Sequence, residues 1–230
     1  IGLFILVGYF LFSTFRRAEQ NQVWAGMAKE TAHQLGTPLS SLMAWNELLR
    51  SQGVDPSTVD EMDKDLKRLE TITDRFSKIG SETKLEDTNI VEVINNIAGY
   101  LRNRISNKVD FELPEETGLV AKLNVPLFEW VVENITKNAV DAMEGKGTIS
   151  YAVQKVGSQI QIDITDTGKG IPGSKMKRVF EPGYTTKQRG WGLGLSLVKR
   201  IVENYHDGKI YVASSEIGKG TTFRILLKSA

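Results

Sequence analysis

In ENITKNAVDAM (133–143), Asn134 and Asn138 stand four residues apart, so a helix places both on one face. Amide oxygens are hard, neutral donors suited to Mg²⁺, an ion that keeps several waters and bridges to nucleotide phosphates. Asp166 lies in DITDTGKGIP (163–172), at the end of a β-like run, and its carboxylate can accept from an exocyclic amine such as that of adenine. Gly168 and Gly170 follow, and glycine permits positive φ and a close approach of backbone to ligand. FEPGYTTK (180–187) brings hydroxyls, Thr186 among them, and ends on Lys187. GWGLGL (190–195) then opens a helix, where free N–H groups and the helix dipole favour phosphate. Two helical asparagines or one DTG turn would mean little alone. Their order along one chain carries the weight.

The glycines exclude two familiar phosphate loops. No GK[ST] follows them, and Gly190, Gly192 and Gly194 have the wrong spacing for a dinucleotide fingerprint. A second candidate lies far upstream. HQLGTPL (33–39) interrupts a helix seam of Ala25, Ala28, Ala32, Leu35, Leu39, Leu42 and Leu49. Within a helix, glycine costs about 1 kcal/mol and proline about 3, so Gly36 and Pro38 are expected to break or bend it. His33 directly follows a seam residue, on the flank where another domain can reach it. The weak turn beside it needs a reason that helix stability does not supply.

The elements that must position these residues read as two regions. Residues 18–50 form a helix interrupted at Gly36–Pro38, SQGVDPS (51–57) is a turn with Ser57 as N-cap, and Val59, Met62, Leu66, Leu69, Ile72, Phe76 and Ile79 stripe a second helix. That is an antiparallel hairpin, and its stripes are long enough for two hairpins to make a dimeric four-helix bundle. After Gly80, SETKLEDTN (81–89) reads as a linker. Beyond it the pattern predicts a helix over 90–105, strands near 109–113 and 119–123, and a helix over 125–143. Strands over 149–156 and 159–165, a helix over 193–205 and a closing hairpin of KIYVASS and TTFRILL follow. Mixed strands and helices on one sheet give an α/β sandwich from about residue 85. The fold class is thus α + α/β.

With 40% hydrophobic and 25% charged residues the chain is ordinary globular material. A formal charge of +1 and no long basic run give no nucleic-acid surface, and the absence of cysteine excludes disulfides and thiolate chemistry. The first fifteen residues, IGLFILVGYFLFSTF, are uncharged, and Arg16 and Arg17 follow. Together with Ile1 in place of methionine, this leads to the expectation of a fragment whose residues 1–15 end a transmembrane helix, with the rest on the cytoplasmic side of a cell inner membrane.

Taken together, the four C-terminal stretches resemble the N, first glycine, F and second glycine boxes of the gyrase, Hsp90, histidine kinase and MutL superfamily, with its Bergerat-type ATP-binding domain. HQLGTPL resembles the H box of sensor histidine kinases. The resemblance implies His33 as phosphoacceptor, Asn138 as Mg²⁺ ligand supported by Asn134, and Asp166 as the adenine-binding acid. It makes residues 173–189 an ATP lid with Thr186 and Lys187 near the phosphates, and has Gly190, Gly192 and Gly194 lining the triphosphate. Gly168 and Gly170 belong to the same nucleotide site, and Thr221 falls at the position near adenine. ATP and Mg²⁺, a homodimer, and a response regulator receiver domain as phosphoryl acceptor are implied with it. Domains at 1–15, 16–80 and 85–230 follow.

Thr37 matches the position that places water when such kinases dephosphorylate their partner. Two residues depart from the pattern. Gln34 stands where Glu or Asp usually follows the histidine, leaving the general base open, and Trp191 stands where a small hydroxyl residue is common. Within the superfamily, hydrolases place a glutamate base four residues before the Mg²⁺-binding asparagine. Here that place holds Asn134, while Glu133 is turned about 100° away. An ATP-binding scaffold with little autokinase activity is the remaining alternative, and Gln34 is its best support.

Overall fold

The computed structural model describes residues 2–79, 84–115, 118–187 and 192–230, and gives backbone alone for 3–7, 10–11, 13–25 and 79. The chain divides into two compact units, residues 1–83 and 84–230.

In the first unit α1 (Gly2–Ser51) and α2 (Pro56–Ile79) pair as a hairpin. α1 is not broken at Gly36 and Pro38, contrary to the sequence expectation: both lie inside one continuous helix. Pro38 lacks the N–H that would bond the Gln34 carbonyl, yet the turns on either side carry enough bonds to hold the helix together. Ser40 Oγ also bonds back to the Gly36 carbonyl at 2.9 Å, a contact that competes with the backbone ladder and favours bending. Gly53, at φ +76°, ends α1 in the left-handed conformation that glycine adopts without penalty.

The start of α2 also corrects the sequence reading. The cap is Asp55 rather than Ser57: Asp55 Oδ2 accepts from the Thr58 N–H at 3.2 Å and from the Thr58 hydroxyl at 3.0 Å. The Ser57 hydroxyl also donates to Asp55. These donors, Ser57 first, hold the Asp55 carboxyl below its ordinary value. The seam divides in two. Ala28, Ala32, Leu39, Val59 and Leu66 are buried within the hairpin, whereas Leu35, Leu42, Met62, Leu69 and Ile72 remain exposed.

The second unit is an α/β sandwich. Its five-stranded sheet runs β2 (Val109–Glu112), β4 (Gly147–Val156), β5 (Gln159–Asp166), β7 (Gly220–Lys228) and β6 (Lys209–Glu216). β2 and β4 are parallel and every other neighbour antiparallel. β1 (Glu86–Asn89) pairs with β3 (Val120–Leu123) as a separate ribbon. Sequence analysis read β1 as linker because EDTN has no apolar alternation; its backbone pairing holds it.

Among the described residues the α-helices of this unit are α3 (Ile90–Arg102), α4 (Val125–Ala142) and α5 (Gly194–Arg200). Asn89 and Asn124 cap α3 and α4 through their side-chain oxygens. α5 continues as a π-helical turn, Ile201–Tyr205, rather than as α-helix to 205. The core joins Ile149, Ile160, Ile162, Ile164 and Ile225 of the sheet to Leu127, Phe128, Val131 and Ile135 of α4. At α4, the Thr136 and Tyr151 hydroxyls bond each other at 2.7 Å. Burial pushes the Tyr151 phenol up to about 12, with the Thr136 contact acting the other way.

Candidate functional site

The C-terminal unit brings most of its motif residues together where α4, the end of β5 and the start of α5 meet. Asp166, the last residue of β5, is 4% exposed and pairs in register with Thr221 on β7. Its Oδ1 accepts from the Gly168 N–H at 2.8 Å, and the Thr221 N–H also donates to it. Burial raises its carboxyl above the ordinary value, and the two backbone donors oppose that rise. A carboxylate has about four lone-pair sites, so acceptor capacity remains for an amine. Thr221 is itself buried, with its hydroxyl 2.8 Å from that of Ser215.

The glycines of the DTGKG turn are required by the protein's own backbone. A Cβ on Gly168 would stand 2.8 Å from the Ala142 carbonyl. One on Gly170, at φ +74°, would stand 2.2 Å from the Glu216 carbonyl oxygen. The Lys169 N–H bonds the Ala142 carbonyl at 3.0 Å, and the Gly218 N–H bonds the Lys169 carbonyl at 3.0 Å. The turn is therefore clamped between the C-terminal end of α4 and the β6–β7 turn. Gly192, at φ +65°, packs against Gly183, whose N–H it accepts at 3.1 Å. Gly190 and Trp191 lie outside the described residues.

On α4, Asn134 Nδ2 donates to the Trp130 carbonyl at 2.9 Å, and its Oδ1 faces Gly194 at the start of α5. Asn138 Oδ1 accepts from Lys187 Nζ at 3.1 Å, and the same ammonium pairs with Asp141 Oδ2. Thr186 beside it is exposed. A cation thus already rests on two hard oxygens one turn apart. Sequence reasoning missed Asp141, although its place three residues after Asn138 puts it on the same face. Glu133 is buried and paired with Lys137 Nζ at 2.5 Å, turned away from the asparagine face.

In the N-terminal unit, His33, Gln34 and Thr37 are all exposed on α1. His33 and Thr37 line an open cleft of about 450 Å³ with Lys29, Ser40, Thr73 and Asp74. Gln34 Nε2 donates to Glu30 Oε1 at 2.7 Å. The other histidine is committed to structure. His206 Nε2 accepts from the Asn124 N–H at 3.1 Å, so Nδ1 carries the proton and donates to the Ile201 carbonyl at 3.0 Å. Burial holds it below its ordinary value.

Residues 124–230 match the family described as histidine kinase-, DNA gyrase B-, and HSP90-like ATPase. Sporulation kinase C of Bacillus subtilis (strain 168) is 26% identical over 218 residues, covering 92% of this chain and 50% of its own length. Signal transduction histidine-protein kinase AtoS of Escherichia coli (strain K12) is 32% identical over 229 residues, covering 92% and 35%. The solved structure of histidine kinase ThkA in complex with response regulator protein TrrA superposes with a TM-score of 0.60. At 23% identity, covering 96% of this chain and 66% of that one, it shows likeness of fold. The C-terminal unit is a gyrase/Hsp90-type ATP-binding domain. With the helical hairpin before it, the chain belongs to the sensor histidine kinases. It spans half or less of the length of these curated relatives.

Proposed function

We propose that the chain binds ATP with Mg²⁺, phosphorylates itself on His33, and passes the phosphoryl group to an aspartate of a response regulator receiver domain. The observation that carries this reading is the contrast between the two histidines. His206 has both ring nitrogens bonded to backbone. His33 is exposed, and among the described residues neither of its nitrogens has a partner. An imidazole open to a second reactant, on a chain that carries an ATP-binding domain, is what phosphoryl acceptance needs.

In this reading Asp166 takes the adenine amine, with Thr221 beside it. Gly168 and Gly170 shape the wall, and Gly190, Gly192 and Gly194 line the phosphates. Thr186 and Lys187 belong to the lid over residues 173–189. Asn138 holds Mg²⁺ with Asn134 in support. The donor set fits: Asn138 and Asp141 oxygens already hold the Lys187 ammonium, and Mg²⁺ needs only one or two protein oxygens because phosphates and water supply the rest. When bound, the metal neutralises charge on the phosphates. Phosphoryl transfer passes through a loose transition state, so the protein acts chiefly by positioning. Neutral His33 attacks. Thr37, one turn further on the same face, supports placement of water for a phosphatase reaction.

The exposed apolar residues Leu35, Leu42, Met62, Leu69 and Ile72 support a homodimer in which two hairpins form a four-helix bundle. The domains are then 16–80 for dimerisation and phosphotransfer and 85–230 for ATP binding. Residues 1–15 would end a membrane helix and set the remainder on the cytoplasmic side of an inner membrane. Among the described residues no helix is long and apolar enough to cross a membrane.

Incubation with Mg²⁺ and γ-labelled ATP tests the reading. Label that is acid-labile, alkali-stable and lost in His33→Gln supports it. ATP binding without label would favour a scaffold, and phosphate release without label a hydrolase.

A further inference from the structure

Gln34 leaves the H box without an acid in its usual place, and a glutamine cannot take up a proton at neutral pH. The same glutamine holds an acid nearby: its Nε2 donates to Glu30 Oε1 at 2.7 Å. Glu30 precedes His33 by three residues, so it lies one turn toward the N-terminus and about 60° around the helix, a spacing at which side chains meet. Helical side chains lean toward the N-terminus, over the turn three and four residues back. The imidazole of His33 therefore leans toward the turn that carries Glu30, whereas residue 34 starts about 100° away.

We propose that Glu30 is the proton acceptor for His33 and that Gln34 is the positioning residue that holds its carboxylate in place; this rests on His33 being the phosphoacceptor. One ring nitrogen of neutral His33 attacks the γ-phosphorus. The new N–P bond forms as the bond to the β,γ-bridging oxygen breaks, and ADP leaves with that electron pair. The proton on the other ring nitrogen, acidified by the developing positive charge, passes to Glu30, so the phosphorylated ring is left neutral. Amide and acid thus divide between two positions what one acid supplies in the usual pattern. Asp74 is the rival, since it lines the His33 cleft from α2. Among the described residues nothing holds Asp74 in place, whereas Glu30 is held.

The test uses the full chain and γ-labelled ATP, reading the initial rate of His33 labelling and the KM for ATP. Removing a general base costs about 100-fold or more in rate, so Glu30→Gln lowers the rate by that order and leaves KM unchanged. Glu30→Gln keeps an amide oxygen that can still accept from Gln34 Nε2, so its loss of rate reports the missing proton acceptor rather than a lost contact. Gln34→Glu in the Glu30→Gln background, which returns an acid beside His33, restores most of the rate. Asp74→Asn labels like wild type. Unchanged labelling in Glu30→Gln, no rescue by Gln34→Glu, or a comparable loss in Asp74→Asn would overturn the proposal. No label on the wild-type chain would instead overturn the phosphoacceptor reading, and this proposal with it.

Discussion

Asp166→Asn exchanges one buried oxygen for an NH₂ group, and separates what the carboxylate does for the fold from what it does for nucleotide. In the wild type the carboxylate accepts from the Gly168 and Thr221 N–H groups while only 4% exposed. Asparagine keeps one acceptor oxygen for those donors but presents no anion to an adenine amine. A hydrogen bond to a charged group contributes about 1.5–3 kcal/mol, so ATP affinity should fall roughly 10- to 100-fold. Stability moves the other way. Burial is the largest influence on this carboxyl and raises its folded pKa above the unfolded value of 3.8. A raised folded pKa gives stability that is fully present below that value and lost as pH rises through the folded one. The uncharged variant escapes the loss. Its melting temperature should match or exceed wild type at neutral pH, with the difference shrinking as pH falls toward 3.8. Nucleotide titration by calorimetry and melting curves across pH measure both effects. Unchanged ATP affinity would refute the adenine assignment. A variant less stable than wild type by the same margin at every pH would refute the burial argument.

Further expectations rest on other residues. His206 is held below its unfolded value of 6.5 by burial, so it supports the fold above that value and loses that support as pH falls through the folded one. His206→Gln should give a shallower decline in melting temperature as pH falls below 6.5, though a lower starting value. Asn46 is buried in the hairpin with Nδ2 on the Val59 carbonyl at 3.3 Å and Oδ1 without a partner among the described residues. Asn46→Leu should therefore raise hairpin stability by about 1 kcal/mol in urea unfolding, and a drop would show that the amide is better satisfied than its contacts indicate. Lys187→Met removes the ammonium from Asn138 and Asp141. The KM for ATP should rise while the melting temperature changes little, since exposed ion pairs contribute about 0–1 kcal/mol.

What the sequence made legible was set by local pattern. The 3.6-residue stripes placed α2, α3 and α4 within a few residues, and β-alternation placed β4, β5 and β7. β1 was invisible because its four polar residues carry no alternation and depend on a partner strand more than thirty positions on. The cap of α2 was misplaced by two residues because three adjacent groups, Asp55, Ser57 and Thr58, all suit a helix start, and only their geometry chooses between them. Continuity of α1 through Pro38 was misjudged because the intrinsic cost of proline is outweighed by the bonds on either side. At the site, Asp166 and Asn138 were legible as residue types at a spacing. The Lys187 contact with Asp141 was not, since 46 residues separate them in the chain. The Glu30–Gln34 pair was open to an i,i+4 reading and went unnoticed behind the missing acid.

Phosphorus-31 NMR of the chain after reaction with Mg²⁺-ATP, kept at alkaline pH, tests the central claim most directly. A phosphoramidate signal from a histidine ring nitrogen, absent in His33→Gln, is the predicted result. A spectrum showing only nucleotide and free phosphate, or a phosphoramidate that survives His33→Gln, would contradict the account.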